Sequence, residues 1–222
     1  FQNKTILKTH INTNKKCLAS RGLSLQTKFI CEGCNIMLIT VNHLHSHYEI
    51  CRQYIVSKLL EKHEKKFIEE TPSRILKYMS SLTATLEGYQ ISRLEHSLQS
   101  ATRTLQDKAE DEMIVAALLH DIGDELAFHN HSEFAAAVLK PYVSEKTHWI
   151  VEKHGIFQLY YYAHHFGYNK DEREKYKGHK YYKDTIDFCE NWDQKSFDPN
   201  FKSLTLKDFE SYVKKIFGRS PY

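Results

Sequence analysis

The sequence predicts a mainly α-helical protein: a helical bundle over residues 73–222, with a small ββα unit ahead of it. Three observations predict this. Long segments after Pro72 place apolar residues at helical spacing. Strand-like alternation is scarce. A compact run rich in Cys and His, residues 29–52, has the length and turn chemistry of a metal-stapled unit.

Residues 1–28 form a basic segment, with Lys4, Lys8, Lys15, Lys16, Arg21 and Lys28 and no acid. Phe1 is not Met, so the chain reads as a fragment or a processed product. The spacing Phe1-x5-Leu7-x2-His10 repeats one found downstream, and suggests the remnant of an upstream unit with Cys17 as its last ligand. Residues 53–72 follow the Cys/His unit as a helical linker. There "YIVSKLLEKHEKKFIEE" alternates charge with apolar residues, the pattern of a solvated helix.

Thr71-Pro72-Ser73 punctuates the chain and suits a helix start. The stretch "AEDEMIVAALLHDIG" then has an acidic start, an almost wholly apolar body and Gly123 as its expected stop. That is a helix buried on most sides. "HSEFAAAVLKPYV", "KTHWIVEKHGIFQLYYYAHHFG" and "TIDFCENW" continue the helical pattern.

The bulk numbers exclude several classes. A formal charge of +3 gives no global field for nucleic acid or membrane. No apolar run approaches the ~18 residues of a membrane span, and no charged-then-apolar leader opens the chain. The 5 cysteines are odd in number and unevenly spaced, unlike a disulfide framework. They favour a reducing compartment, and so an intracellular protein, cytoplasmic or nuclear.

The segment "FICEGCNIMLITVNHLHSHYEIC" has the spacing Cys31-x2-Cys34-x12-His47-x3-Cys51, with apolar Phe29, Leu38 and Leu44 between. It resembles a two-Cys, two-His zinc finger whose last His is replaced by Cys. Thiolates and imidazole suit one tetrahedral zinc, and metal binding supplies most of such a unit's folding energy. The usual base-reading positions fall on Thr40, His43 and Ser46, and the only charged residues are Glu32 and Glu49. Nucleic-acid binding is therefore expected to be weak, and a protein partner or a structural role is at least as reasonable.

A second metal site is indicated by the adjacent pair His120-Asp121 at the end of the apolar helix. Neighbours on a helix point about 100° apart, so they suit one mononuclear pocket poorly. They suit a centre in which Asp121 bridges two metals while His120 binds one. The motifs "RLEHSLQSA", "LLHDIGD", "NHSEF", "VEKHGIFQ" and "FCENWDQKSFDP", in that order, resemble the HD-domain superfamily. They are most similar to its mixed-valent di-iron oxygenase branch, which includes myo-inositol oxygenase and oxygenases that cleave hydroxyalkylphosphonates. The likeness covers about residues 84–200.

The resemblance implies two irons, one Fe(II) and one Fe(III). His96, His120 and Asp193 would hold the first iron, His131 and His154 the second, and Asp121 would bridge them. It implies a small hydroxylated substrate and dioxygen as reactants, with cleavage of a C–C or C–P bond next to the hydroxyl-bearing carbon. His129, His164, His165, Asp187 and Asp198 are the residues easiest to mistake for ligands. In phosphonate-cleaving relatives a Tyr and a Glu precede the first His; here those places hold Leu86 and Tyr89, so Tyr89 is left as a shifted catalytic gate. Places that are basic in those relatives hold Asp124, Gln158 and Glu190, so the resemblance implies an acidic substrate pocket that disfavours a phosphonate. The aromatic run "LYYYAHHFGY" offers a cage for a cationic head as an alternative to a packed helix. Two other functions stay open at this point: a two-metal phosphohydrolase, and a zinc-finger adaptor whose bundle is structural.

Overall fold

The computed structural model describes residues 29–30, 37–38, 41–84 and 89–221. The chain divides into two compact units between Ile68 and Glu69. In the first, strands β1 (Phe29–Ile30) and β2 (Met37–Leu38) pair antiparallel, with Phe29 opposite Leu38. Helix α1 follows over Val41–Glu69 without interruption. The expected finger helix and the expected linker are thus one continuous helix. His47 is half-buried and Cys51 buried, one turn apart on α1, while Leu59, Leu60 and Phe67 are exposed. Cys31 and Cys34 lie outside the described residues, so no finger ligand set is described. So do Leu86 and residues 1–28.

The second unit is mainly helical. Its helices are α2 (Thr71–Met79), α3 (Arg93–Gln106), α4 (Asp111–Leu119), α5 (His131–Leu139), α6 (Glu145–Tyr162), α7 (Tyr182–Phe188) and α8 (Leu206–Phe217). Pro72 sits in the first turn of α2, where its missing N–H costs nothing. Ser92 caps α3 in a reciprocal box with Glu95: Glu95 N–H donates to Ser92 Oγ at 3.2 Å, and Ser92 N–H to Glu95 Oε2 at 2.6 Å. Ser144 caps α6, accepting from Thr147 N–H.

Helix α4 is the centre of the core. Val115, Ala116, Ala117, Leu118 and Leu119 are all fully buried, enclosed by α3, α6 and α8. Truncating Leu118 to Ala there would cost about 2–5 kcal/mol. The helix ends at Leu119, four residues before Gly123, so glycine does not act as its stop. Gly123 answers a different demand: a Cβ there would lie 3.0 Å from His131 O and from Phe134 Cβ. Its small size lets the turn after α4 press against the start of α5.

Candidate metal centre

Five turns and helices deliver six side chains to one spot. His96 comes from α3, His120 and Asp121 from the turn that ends α4, His131 from the first residue of α5, and His154 from the middle of α6. Asp193 comes from a π-turn, Cys189–Asp193, that extends α7. The Gln194 N–H donates to Cys189 O at 2.8 Å, a five-residue spacing that widens the helix and re-aims its last side chain. The loop beyond is tied to α3, since Gln99 Nε2 donates to Asp198 O at 2.8 Å.

Each histidine is fixed through its Nδ1. His120 Nδ1 donates to Ala117 O at 2.8 Å, His154 to Val151 O at 2.6 Å and His131 to Phe128 O at 3.2 Å. All three use the carbonyl three residues back. His96 Nδ1 donates across the bundle to Ser196 O at 2.8 Å. A carbonyl can only accept, so every Nδ1 carries a proton and every Nε2 is left to face inward.

The inward nitrogens meet two carboxylates. His96 Nε2 lies 3.3 Å from Asp193 Oδ1 and 3.4 Å from Asp121 Oδ2, and His120 Nε2 lies 3.6 Å and 3.5 Å from the same two atoms. His154 and His131 approach the other oxygen, Asp121 Oδ1, at 3.2 Å and 3.5 Å. One carboxylate therefore serves two pairs of imidazoles, one pair per oxygen. His120 and Asp121 can both contribute because the regular helix has ended at Leu119 and both lie on the turn that follows.

The electrostatics call for a cation. His96 Nε2 and His120 Nε2 are 3.1 Å apart, and both rings hold their proton on the far nitrogen. As neutral rings they would point lone pairs at each other. Burial disfavours charge on His96, but Asp121 and Asp193 outweigh it and push its pKa up to about 10. His120 is likewise raised against burial, by the same two carboxylates. Asp121 and Asp193 are held well below the usual carboxylate range: burial opposes this, and His120, with His96, prevails. Asp193 Oδ2 is buried without a hydrogen-bond partner. Ligand atoms of His96, His120 and Asp193, of His120, Asp121 and His154, and of Asp121, Asp124 and His131 lie close enough to hold a metal ion. Imidazole nitrogen and carboxylate oxygen suit zinc, iron or manganese, so the donor set fits a transition-metal pair.

Aromatic rings pack around the cluster. Phe197 stacks on His96 at 4.2 Å, and Phe188 lies edge-on to His120 at 5.7 Å and to His154 at 6.3 Å. Gly155 on α6 faces α5, where a Cβ would come 2.5 Å from Ser132 Oγ and 3.6 Å from His131 Nε2.

The expected pocket residues take different places. Gln158 donates from Nε2 to Asp193 Oδ1 at 3.3 Å and to Gln194 Oε1 at 2.9 Å. Glu190 is exposed and stands beside Tyr161, whose hydroxyl burial, Cys189 and Glu190 raise to about 12. Asp124 is not a bare acid. Its Oδ2 pairs with Arg93 Nε at 2.7 Å and its Oδ1 lies 3.4 Å from His131 Nδ1, while burial and Asp121 raise its pKa. Tyr89 is exposed, its ring 5.7 Å from Phe197.

In the aromatic run, the Tyr160 face is covered by Arg173, with the guanidinium carbon 3.5 Å from the ring centroid, so the chain fills that cage itself. His129, His164, His165, Asp187 and Asp198 are exposed and outside the metal-ligand groups. Two residues near the centre were not expected from sequence. Arg93 was overlooked although it opens the first motif. Tyr162 stands near enough that burial, Tyr89, Asp193, Asp121 and Asp124 raise its hydroxyl; it follows Gln158 by one turn on α6, a spacing that could have exposed it.

Among the described residues no helix is long and apolar enough to cross a membrane. No protein-family model matches the chain, and no curated protein matches it.

Proposed function

We propose that the bundle is a metal-dependent enzyme, a di-iron oxygenase of the HD-domain kind that cleaves a C–C or C–P bond beside the hydroxyl-bearing carbon of a small substrate. The observation that carries this is the division of Asp121, whose two oxygens face two separate histidine pairs. The five ordered motifs support iron and dioxygen as the chemistry. A mixed-valent Fe(II)/Fe(III) pair, when bound, supplies dioxygen activation and a Lewis-acid hold on the substrate hydroxyl.

The chain's own residues do the rest. The four Nδ1–H bonds lock each imidazole in one tautomer and orientation. Asp121 fixes the distance between the two halves of the centre. Phe188 and Phe197 keep water from the buried half. Gln158 holds Asp193 with its amide. Tyr89 and Tyr162 stand at the exposed side, where a substrate has to enter. In the first unit, Cys31, Cys34, His47 and Cys51 would hold one zinc, and that finger would dock a protein or, weakly, a nucleic acid.

The experiment is dioxygen uptake by iron-loaded protein offered a panel of hydroxylated compounds, run beside phosphoester hydrolysis under nitrogen. Substrate-dependent oxygen uptake supports the oxygenase. Oxygen-independent phosphoester turnover with Mn²⁺ would replace it with the phosphohydrolase. A bundle that binds no metal would leave the adaptor.

A further inference from the structure

Resting on that metal-centre reading, we propose that the substrate is a hydroxy acid whose carboxylate is held by the two terminal nitrogens of Arg93. Arg93 is the first residue of α3, one turn before His96. Its side chain is only 15% exposed, and its Nε is committed to Asp124 Oδ2 at 2.7 Å. Its guanidinium carbon lies 4.9 Å from the Tyr89 ring centroid. Through Asp124 it reaches His131, and through Tyr89 and Phe197 it reaches His96. It is one or two side chains from each half of the centre.

The ion pair with Asp124 is made through Nε. Neither Nη1 nor Nη2 of Arg93 has a hydrogen-bond partner among the described residues. Among the described residues, the four N–H donors of this largely buried fork meet no acceptor, and their planar geometry matches a carboxylate edge to edge. The ion pair fixes the guanidinium in advance, so little side-chain freedom is lost on binding.

Charge agrees with this once metals are counted. Asp121, Asp124 and Asp193 supply the negative charge of the site. Two bound ions of charge two or more would outweigh those three carboxylates, so the repulsion expected from an acidic pocket would not apply to the metal-loaded chain. A single negative charge is the better match. Asp124 already shares the guanidinium, and no second Lys or Arg is paired with these three carboxylates among the described residues. A phospho dianion would need another cation.

The test uses the full chain loaded with metal and kept free of oxygen. Calorimetry compares glycolate with glycolamide, which differ only in the charged group, for the unaltered chain, Arg93→Gln and Arg93→Lys. Metal content is measured on each sample first. We expect Arg93→Gln to weaken glycolate by about tenfold to a hundredfold and to leave glycolamide within about twofold. Arg93→Lys, which keeps a charge beside Asp124 but loses the fork, falls between them. If Arg93→Gln loses metal, Arg93→Lys alone decides: a weakened preference for the acid supports the proposal, and an unchanged one overturns it. An acid preference that survives Arg93→Gln with metal intact means the metals select the acid, and overturns it. Tighter binding of hydroxymethylphosphonate than of glycolate overturns the choice of a carboxylate. A chain that takes no metal yet keeps an Arg93-dependent acid preference sinks the metal reading and spares the subsite.

Discussion

The two halves of the candidate metal centre share one carboxylate but differ in exposure. The side chains of His96, His120 and Asp193 are 1%, 0% and 3% exposed; in the other half His154 is 2% exposed but His131 is 26% exposed, so that half opens to solvent at His131. The buried half is bound into the core: Phe188 and Phe197 flank it, and the bond from His96 to Ser196 O ties α3 to the loop after the π-turn. The open half hangs on the first residue of α5, next to Asp124, Arg93 and a solvent-facing rim. Burial suits an ion that stays, and exposure suits the position where substrate or dioxygen exchanges with water. Under the proposed function, the buried half would hold its ion and the open half would be the one that exchanges ligands with water.

The largest effect should follow from breaking what the halves share. Asp121→Asn removes charge from both oxygens and should weaken both bundle metals at least about a hundredfold, abolishing activity. Metal analysis after gel filtration reads it. Next comes the approach of α6 to α5. Gly155→Ala puts a Cβ against Ser132 Oγ, so the serine must rotate or α5 must shift. A loss of about 1–2 kcal/mol in thermal unfolding is expected, with weaker binding at the open half and the buried half intact.

His131→Ala separates the halves most cleanly. It should empty the open half and spare the buried one. Because His131 is partly exposed, stability should change by less than about 1 kcal/mol.

The buried half also has a pH signature in the metal-free chain. His96 is raised from 6.5 to about 10 on folding, by Asp121 and Asp193 acting against burial. A raised histidine contributes stability that is full below about pH 6.5 and is lost as pH climbs through about 10. Metal-free protein should therefore lose stability between about pH 7 and 10. A metal takes the proton's place, so metal-loaded protein should not show that loss, and binding should release a proton near neutral pH. Denaturant titrations at several pH values check both. The smallest effect on the bundle should come from the first unit: Cys34→Ser should remove zinc and leave bundle metal content unchanged.

Much of this centre was legible because its side chains sit in distinctive local contexts. His120-Asp121 ends an apolar run, and the other four expected ligands fall in ordered motifs; the structure brings these six side chains near one another, and Asp124 joins them. The mainly helical character was equally plain in the spacing of apolar positions. What escaped notice depends on contacts between distant segments. Asp124 looked like a repelling acid because its partner Arg93 lies 31 positions earlier in the chain, and no local pattern joins them. The end of α4 was misplaced because Gly123 suggested a stop, whereas its size serves contact with Phe134. The π-turn that aims Asp193 leaves no trace in the sequence because it closes α7, and no helical turn follows in which a shifted apolar register would show.

The central claim is that one carboxylate holds two metals, and metal stoichiometry in a matched pair of proteins tests it most directly. Elemental analysis of the unaltered chain and of His131→Ala, both produced with iron and zinc available, should give about two irons and about one zinc in the first, and about one iron with the same zinc in the second. Equal iron in the two proteins, or a single bundle metal in the unaltered chain, would contradict the division of Asp121 between two ions.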